Sequence, residues 1–146
     1  LDKFLRTDAL FIYGTLRPGS GHGMARRLAA ESAYLGPAAM PGRLYRIGAY
    51  PGAVPTEKPG EIVHGDAVRL LNPGRTFAWL DEYEGCGVKQ PEPQAYQRVI
   101  VPVRLHSREA LQAWVYFYHH PVHPARRIPD GRFLRNGRLP IVAPFA

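Results

Sequence analysis

Residues 9–13, Ala9-Leu10-Phe11-Ile12-Tyr13, form an apolar run of strand length that stops at Gly14, the pattern of a strand buried on both faces. Arg17-Pro18-Gly19-Ser20-Gly21 then reads as a loop. Between residues 24 and 32, Met24 with Leu28 and Ala25 with Ala29 recur at helical spacing and predict a short helix. Residues 33–38 and 42–47 read as two short strands divided by Met40-Pro41-Gly42, and residues 50–55 as an irregular segment. Residues 61–71 have strand character interrupted by Gly65. Asn72-Pro73-Gly74 announces a helix, with Asn72 as the cap and Pro73 at the first helical position; Gly85 and Gly87 end it. Residues 89–94, with Pro91 and Pro93, are expected to be a loop. Residues 98–105 and 112–119 are the two clearest strands, joined through Ser107-Arg108-Glu109-Ala110 in an expected hairpin. No repeat, low-complexity run or linker interrupts the 146 residues, so one domain spanning 1–146 is expected.

Composition sharpens this picture at three points. Fifteen glycines and fifteen prolines lie scattered between β-rich runs, which marks them as turn punctuation in a β-dominated fold. Cys86 is the only cysteine, which excludes an intrachain disulfide and a cysteine-rich zinc site. The apolar runs fall far short of a membrane-spanning helix, and residues 1–8 lack the apolar core of a signal peptide, so a cytoplasmic protein with no membrane partner is expected. The net charge of +7 is concentrated toward the end of the chain: from residue 121 to 146, five arginines face Asp130 alone. This basic, proline-containing segment has only Phe133 and Phe145 among its arginines, where a nucleic-acid surface would interleave more aromatics. It is expected to be a solvated arm packed over the domain.

Four groups are candidates for chemistry. On the 73–84 helix, at about 100° per residue, Trp79, Tyr83, Thr76, Leu80 and Phe77 fill one arc. Glu84 falls inside that arc, Glu82 and Arg75 lie opposite, and Asp81 sits at its edge. An inward carboxylate either finds a partner or has its pKa raised by desolvation, which is how a base is poised near neutrality. Alternatively Glu84 lies past the helix end and faces solvent; periodicity does not separate the two. Tyr13-Gly14-Thr15-Leu16 is either an ordinary strand-to-loop glycine or a turn whose free amides cradle an anion. His119-His120-Pro121-Val122-His123 is not expected to bind metal, because Pro121 and Pro124 prevent a shared helical face and no acidic ligand lies nearby in sequence. Cys86 is either a nucleophile needing a distant histidine or a bystander.

Taken in order, several motifs resemble the γ-glutamylcyclotransferase-like family. They are Leu10-Phe11-Ile12-Tyr13-Gly14-Thr15-Leu16, Gly42-Arg43-Leu44-Tyr45, Tyr50-Pro51-Gly52 and Gly65-Asp66-Ala67-Val68. Leu80-Asp81-Glu82-Tyr83-Glu84-Gly85, Tyr96-Gln97-Arg98 and Ala113-Trp114-Val115-Tyr116-Phe117-Tyr118 complete the set. The pattern covers about residues 9–120 and leaves the basic tail outside it.

The resemblance implies an α+β single domain, a small mixed β-barrel with short flanking helices. It implies a cofactor-free reaction on a small-molecule γ-glutamyl substrate, in which the α-amine attacks its own side-chain carbonyl and releases 5-oxoproline and an amine. It places the catalytic role on Glu84, the glutamate of the Asp-x-x-Glu motif, and head-group binding on Tyr13, Gly14, Thr15 and Leu16. Tyr118, closing the last clear strand, is a plausible hydroxyl donor, and Tyr96 a weaker one. The alternative within the same fold is a small-molecule or anion binder that turns nothing over.

Overall fold

The structure, a computed structural model, describes residues 7–18, 20–86 and 95–133. In chain order the elements are β1 (Ala9–Ile12), α1 (Gly23–Ala30), β2 (Ser32–Pro41), β3 (Arg43–Ile47), β4 (Tyr50–Val54) and β5 (Ile62–Leu70). They continue with α2 (Pro73–Tyr83), β6 (Tyr96–Leu105), β7 (Ala110–Tyr118), a 3-10 turn (Pro124–Arg126) and β8 (Arg127–Ile128). The predicted loop at 89–94 lies outside the described residues.

Five strands, β1-β5-β2-β6-β7, form a ring that closes where β1 pairs in parallel with β7, Leu10 opposite Trp114. Further along the same edge of β7, β4 takes over, with Ala53 opposite Phe117; β3 and β8 extend the sheet antiparallel from there. This is the expected α+β fold, a small mixed barrel with two short helices. The strand period of two sorts β1 cleanly. Ala9, Phe11 and Tyr13 enter the barrel core with Met40, Val63 and Val115. Leu10 and Ile12 face out and meet Leu28, Phe77 and Leu80 of the two helices. Both faces are therefore covered, which accounts for the unbroken apolar run.

Three expectations from local patterning are corrected. Residues 50–54 are a strand, β4, because Pro51 and Gly52 act here as close-packing residues. A Cβ on Gly52 would lie 2.8 Å from Cβ of Tyr118 on β7. Gly65 does not interrupt β5: a Cβ there would fall 2.1 Å from the Ile12 carbonyl oxygen, so the glycine admits β1 against it. Strand β2 runs through Met40 to Pro41, paired with β5 throughout apart from a bulge at Tyr34–Gly36. The first part of the basic tail is structural. Arg127 pairs with Tyr45 across β8 and β3 and reaches Glu61 at 3.2 Å, while Phe133 is buried in the barrel core. Among the described residues, no helix is long and apolar enough to cross a membrane.

One side chain bridges the place where β1 leaves β7 and β4 arrives. The Tyr13 hydroxyl donates to the Tyr116 carbonyl (2.6 Å) and accepts from the Ala53 amide (3.1 Å), replacing a rung that neither strand can supply. Tyr13→Phe would strand a buried donor and a buried acceptor, at a cost of about 1–3 kcal/mol. Its urea midpoint is expected to fall accordingly; an unchanged midpoint would show that the bridge holds nothing.

Candidate active site

Beyond β1 the chain has no strand partner, and Gly14, Thr15 and Leu16 turn away across the end of the barrel. Among the described residues, no group accepts a hydrogen bond from the backbone amides of these three residues. The loop is nonetheless held at several points. The Gly14 carbonyl accepts from the Arg17 amide (3.2 Å), and the Thr15 carbonyl accepts from the Ser20 hydroxyl (2.5 Å). Arg17 donates through Nε to the buried Asp66 (2.7 Å), whose second oxygen accepts from the Tyr34 hydroxyl (2.6 Å). A carboxylate fixed by two donors anchors the loop to β5. Gly14 lies flat on Pro51: a Cβ would come within 2.8 Å of the proline ring.

Helix α2 supplies the opposite wall. Asn72 caps it, its side-chain oxygen accepting from the Arg75 amide, with Pro73 at the first helical position, as the sequence predicts. It ends in a Schellman turn: the Cys86 amide donates to the Asp81 carbonyl and the Gly85 amide to the Glu82 carbonyl. Gly85 sits at φ +78°, which a glycine adopts without strain. Glu84 is the capping residue of that turn. It stands at the helix end, as the solvent alternative required, yet its side chain lines a cavity, as the periodicity predicted.

That cavity has a volume of about 250 Å³, and Tyr13, Gly14, Thr15, Leu16 and Glu84 all border it. Tyr96, the weaker hydroxyl candidate, borders it as well, so the structure brings together six of the seven residues singled out in the sequence. The seventh, Tyr118, is set back: among the described residues the lining tyrosines of β6 and β7 are Tyr96 and Tyr116. Tyr118 packs edge-on against Tyr96 with ring centroids 5.3 Å apart. Tyr116 and Tyr118 share one face of β7, and strand alternation has no means of choosing between them.

Most hydroxyls around the cavity are committed to the protein. Tyr96 donates to the Pro51 carbonyl (2.8 Å), Tyr116 to Oδ1 of Asp81 (2.6 Å) and Tyr13 to the Tyr116 carbonyl. Tyr83 lies within 3.1 Å of Nε2 of His22 and 3.4 Å of the Thr15 hydroxyl. Because Nδ1 of His22 accepts from the Met24 amide, the neutral ring carries its proton on Nε2 and donates it to Tyr83. Burial pushes the pKa of Tyr13, Tyr83, Tyr96 and Tyr116 upward, so these phenols stay neutral. No described side chain hydrogen-bonds the Glu84 carboxyl group. Burial, with Asp81 as a nearby like charge, raises its pKa to about 7.

The other candidates do not gather here. The Cys86 thiol is 3.9 Å from Asp81 and is pushed up to about 12, chiefly by burial, which disfavours a thiolate. The His120 ring packs against Tyr118, and Nδ1 of His123 caps the 3-10 turn by accepting from the Ala125 amide. Asp66, Asp81, Tyr83, Arg98 and Tyr116 were missed as site-building residues. Each acts through a partner distant in sequence; helix periodicity put Tyr83 in the inward arc and Asp81 at its edge, and the other three were marked only by their place in the motif strings.

The family described as "Gamma-glutamyl cyclotransferase, AIG2-like" matches residues 10–135, and the chain belongs to it. The match runs past the last motif strand and takes in β8 and Phe133, so the start of the basic segment lies inside the family pattern. A γ-glutamylcyclotransferase family protein, ytfP, of Citrobacter rodentium is 33% identical over 128 residues, covering 86% of this chain and 94% of the relative. Its Escherichia coli K12 counterpart is 32% identical over 128 residues, covering 86% and 95%. An AIG2-like protein from Mus musculus superimposes with a TM-score of 0.61 at 20% identity, covering 83% of this chain and 82% of that one. An uncharacterised Pyrococcus horikoshii protein does so at 0.60 and 21%, covering 86% and 88%. At these identities the structural likeness establishes the fold.

A carboxyl whose pKa is about 7 in the folded chain and near 4.5 in the unfolded one makes folding pH-dependent. The folded state binds the extra proton between about pH 4.5 and 7, so stability falls as pH rises through that window. Glu84→Gln removes the penalty. The variant is expected to be more stable than the parent at pH 8, on the order of 1–3 kcal/mol, with the difference vanishing below about pH 4.5. Equal stability at pH 8 in urea titrations would contradict a half-buried carboxyl group with its pKa raised by desolvation.

Proposed function

We propose that the protein is a cyclotransferase that cleaves a γ-glutamyl amide by intramolecular attack, with Glu84 as general acid and base. The observation that carries this reading is the isolation of Glu84. Among the described residues lining the cavity it is the one carboxyl group, it is poised near neutrality, and it faces a loop of unpaired amides.

The chemistry matches these parts. The amides of Gly14, Thr15 and Leu16 bind the glutamyl carboxylate or steady the oxyanion that develops on the side-chain carbonyl. Tyr83, receiving a hydrogen bond from His22, has its own proton free to donate toward Thr15 or the substrate. The Glu84 carboxylate takes a proton from the substrate's α-ammonium. The freed nitrogen attacks the side-chain carbonyl carbon, forming the ring C–N bond. Glu84 returns its proton to the departing nitrogen as the amide C–N bond breaks. The second proton shed by the attacking nitrogen also ends on the departing amine, which leaves as an ammonium. Nucleophile and electrophile belong to one molecule, so the cavity's main task is to fix a near-attack geometry, worth about 7–11 kcal/mol in favourable cases. The reaction as drawn uses no cofactor.

Mass-spectrometric detection of 5-oxoproline from a panel of γ-glutamyl amines and peptides tests the reading. Glu84→Gln is expected to keep the fold and ground-state binding while lowering kcat at least about 10²-fold. Glu82→Gln, the same change on the exposed face of α2, is expected to do little. Full turnover in Glu84→Gln, or equal loss in both, would refute the mechanism. Binding of the panel without turnover in the parent would make the protein a binder of the same ligands.

A further inference from the structure

Helix α2 brings two carboxylates to the barrel wall three residues apart, a spacing that makes them neighbours on the helix surface. Asp81 is heavily bonded: Arg98 forks onto it, Nε to Oδ1 at 2.8 Å and Nη2 to Oδ2 at 3.1 Å. Oδ1 also accepts from the Tyr116 hydroxyl at 2.6 Å. Arg98 is itself fixed, with its guanidinium 3.7 Å from the ring centroid of Phe77 and 4.4 Å from that of Trp114. Those two rings meet edge-on at 5.8 Å. A planar cation stacked on aromatics and forked onto a carboxylate through its Nε/Nη2 edge is preorganised as a flexible lysine would not be. Phe77 and Asp81 belong to α2 and Trp114 to β7, so Arg98 joins β6, β7 and the helix. It does not border the cavity.

We propose that Arg98 is a positioning residue for Glu84: by forking onto Asp81 it masks the neighbouring carboxylate and fixes the helix end that presents Glu84 to the cavity. The proposal rests on the reading of Glu84 as the proton carrier.

Among the described residues, the groups that face Glu84 are Asp81 and Tyr83 of α2, Cys86 beyond it, Tyr13 after β1, Tyr96 of β6 and Tyr116 of β7, and Tyr50 of β4 lines the same cavity. Burial keeps the phenols of Tyr13, Tyr83, Tyr96 and Tyr116 and the Cys86 thiol neutral, so among the described residues Asp81 is the charge that bears on Glu84, and Arg98 the charge that bears on Asp81. The consequence has two opposite signs. Without Asp81 the Glu84 carboxylate loses a like charge and forms at lower pH. Without Arg98 it meets the full field of Asp81 and forms at higher pH.

The test is a carboxyl ¹³C NMR titration of glutamate-labelled protein, with the Glu84 resonance assigned by its absence in Glu84→Gln. Asp81→Asn is expected to move the Glu84 midpoint down by about one pH unit, and Arg98→Met to move it up by about half a unit or more. Arg98→Lys, which keeps the charge, should stay near the parent value. Midpoints that do not move, or that move in the same direction in Asp81→Asn and Arg98→Met, would overturn the proposal. If Arg98→Met does not fold, Asp81→Asn decides alone: an unmoved or raised midpoint overturns it. No substrate enters the measurement, so shifted midpoints in a protein that forms no 5-oxoproline would refute the catalytic reading and leave the electrostatic one standing.

Discussion

Strand β7 has one edge to offer, and two strands need it. β1 takes it at Trp114 and β4 at Phe117, both in parallel, because β6 fills the opposite edge along its whole length. β1 therefore has to leave the sheet after Ile12. The Tyr13 hydroxyl seals the junction, and the chain that follows has backbone amides with no strand to receive them. The loop of amides without a described acceptor follows from barrel closure. Glycine at position 14 lets this loop pass over Pro51 of the strand that displaced it.

The acidic wall has an equally local origin. A helix that packs Phe77 and Leu80 against Leu10 and Tyr116 must stop before it runs past the barrel end, and the Schellman turn at Gly85 stops it there. Glu84 is the last residue before the turn. The negative end of a helix disfavours an anion, and so does burial. A carboxyl group in that place is held where it gives and takes a proton readily. That placement costs stability, a trade that the proposed proton-carrying role would explain.

What was legible in the sequence is what short-range physics fixes. The cap at Asn72, the stop at Gly85 and the arc that includes Glu84 all lie within one helix and can be counted on its surface. The buried β1 run and the β6–β7 hairpin read correctly for the same reason. What failed depends on distant partners. Pro51 and Gly52 look like part of an irregular segment until Tyr118 of β7 is brought against them. Gly65 looks like a break until Ile12 is seen to need the space. Tyr118 and Tyr116 are indistinguishable by alternation, and only the three-dimensional position of α2 puts the latter at the cavity. The pairing of Arg98 with Asp81 has no sequence signature, since the two residues sit on different elements.

In the proposed reaction the substrate's own amine, and not water, attacks the γ-glutamyl carbonyl. Turnover of the best substrate of the panel in H₂¹⁸O measures this directly. Intramolecular cyclisation gives 5-oxoproline that contains no ¹⁸O and no labelled glutamate, because the carbonyl oxygen is retained throughout. Glutamate carrying ¹⁸O as the primary product would identify water as the nucleophile and contradict the proposed reaction.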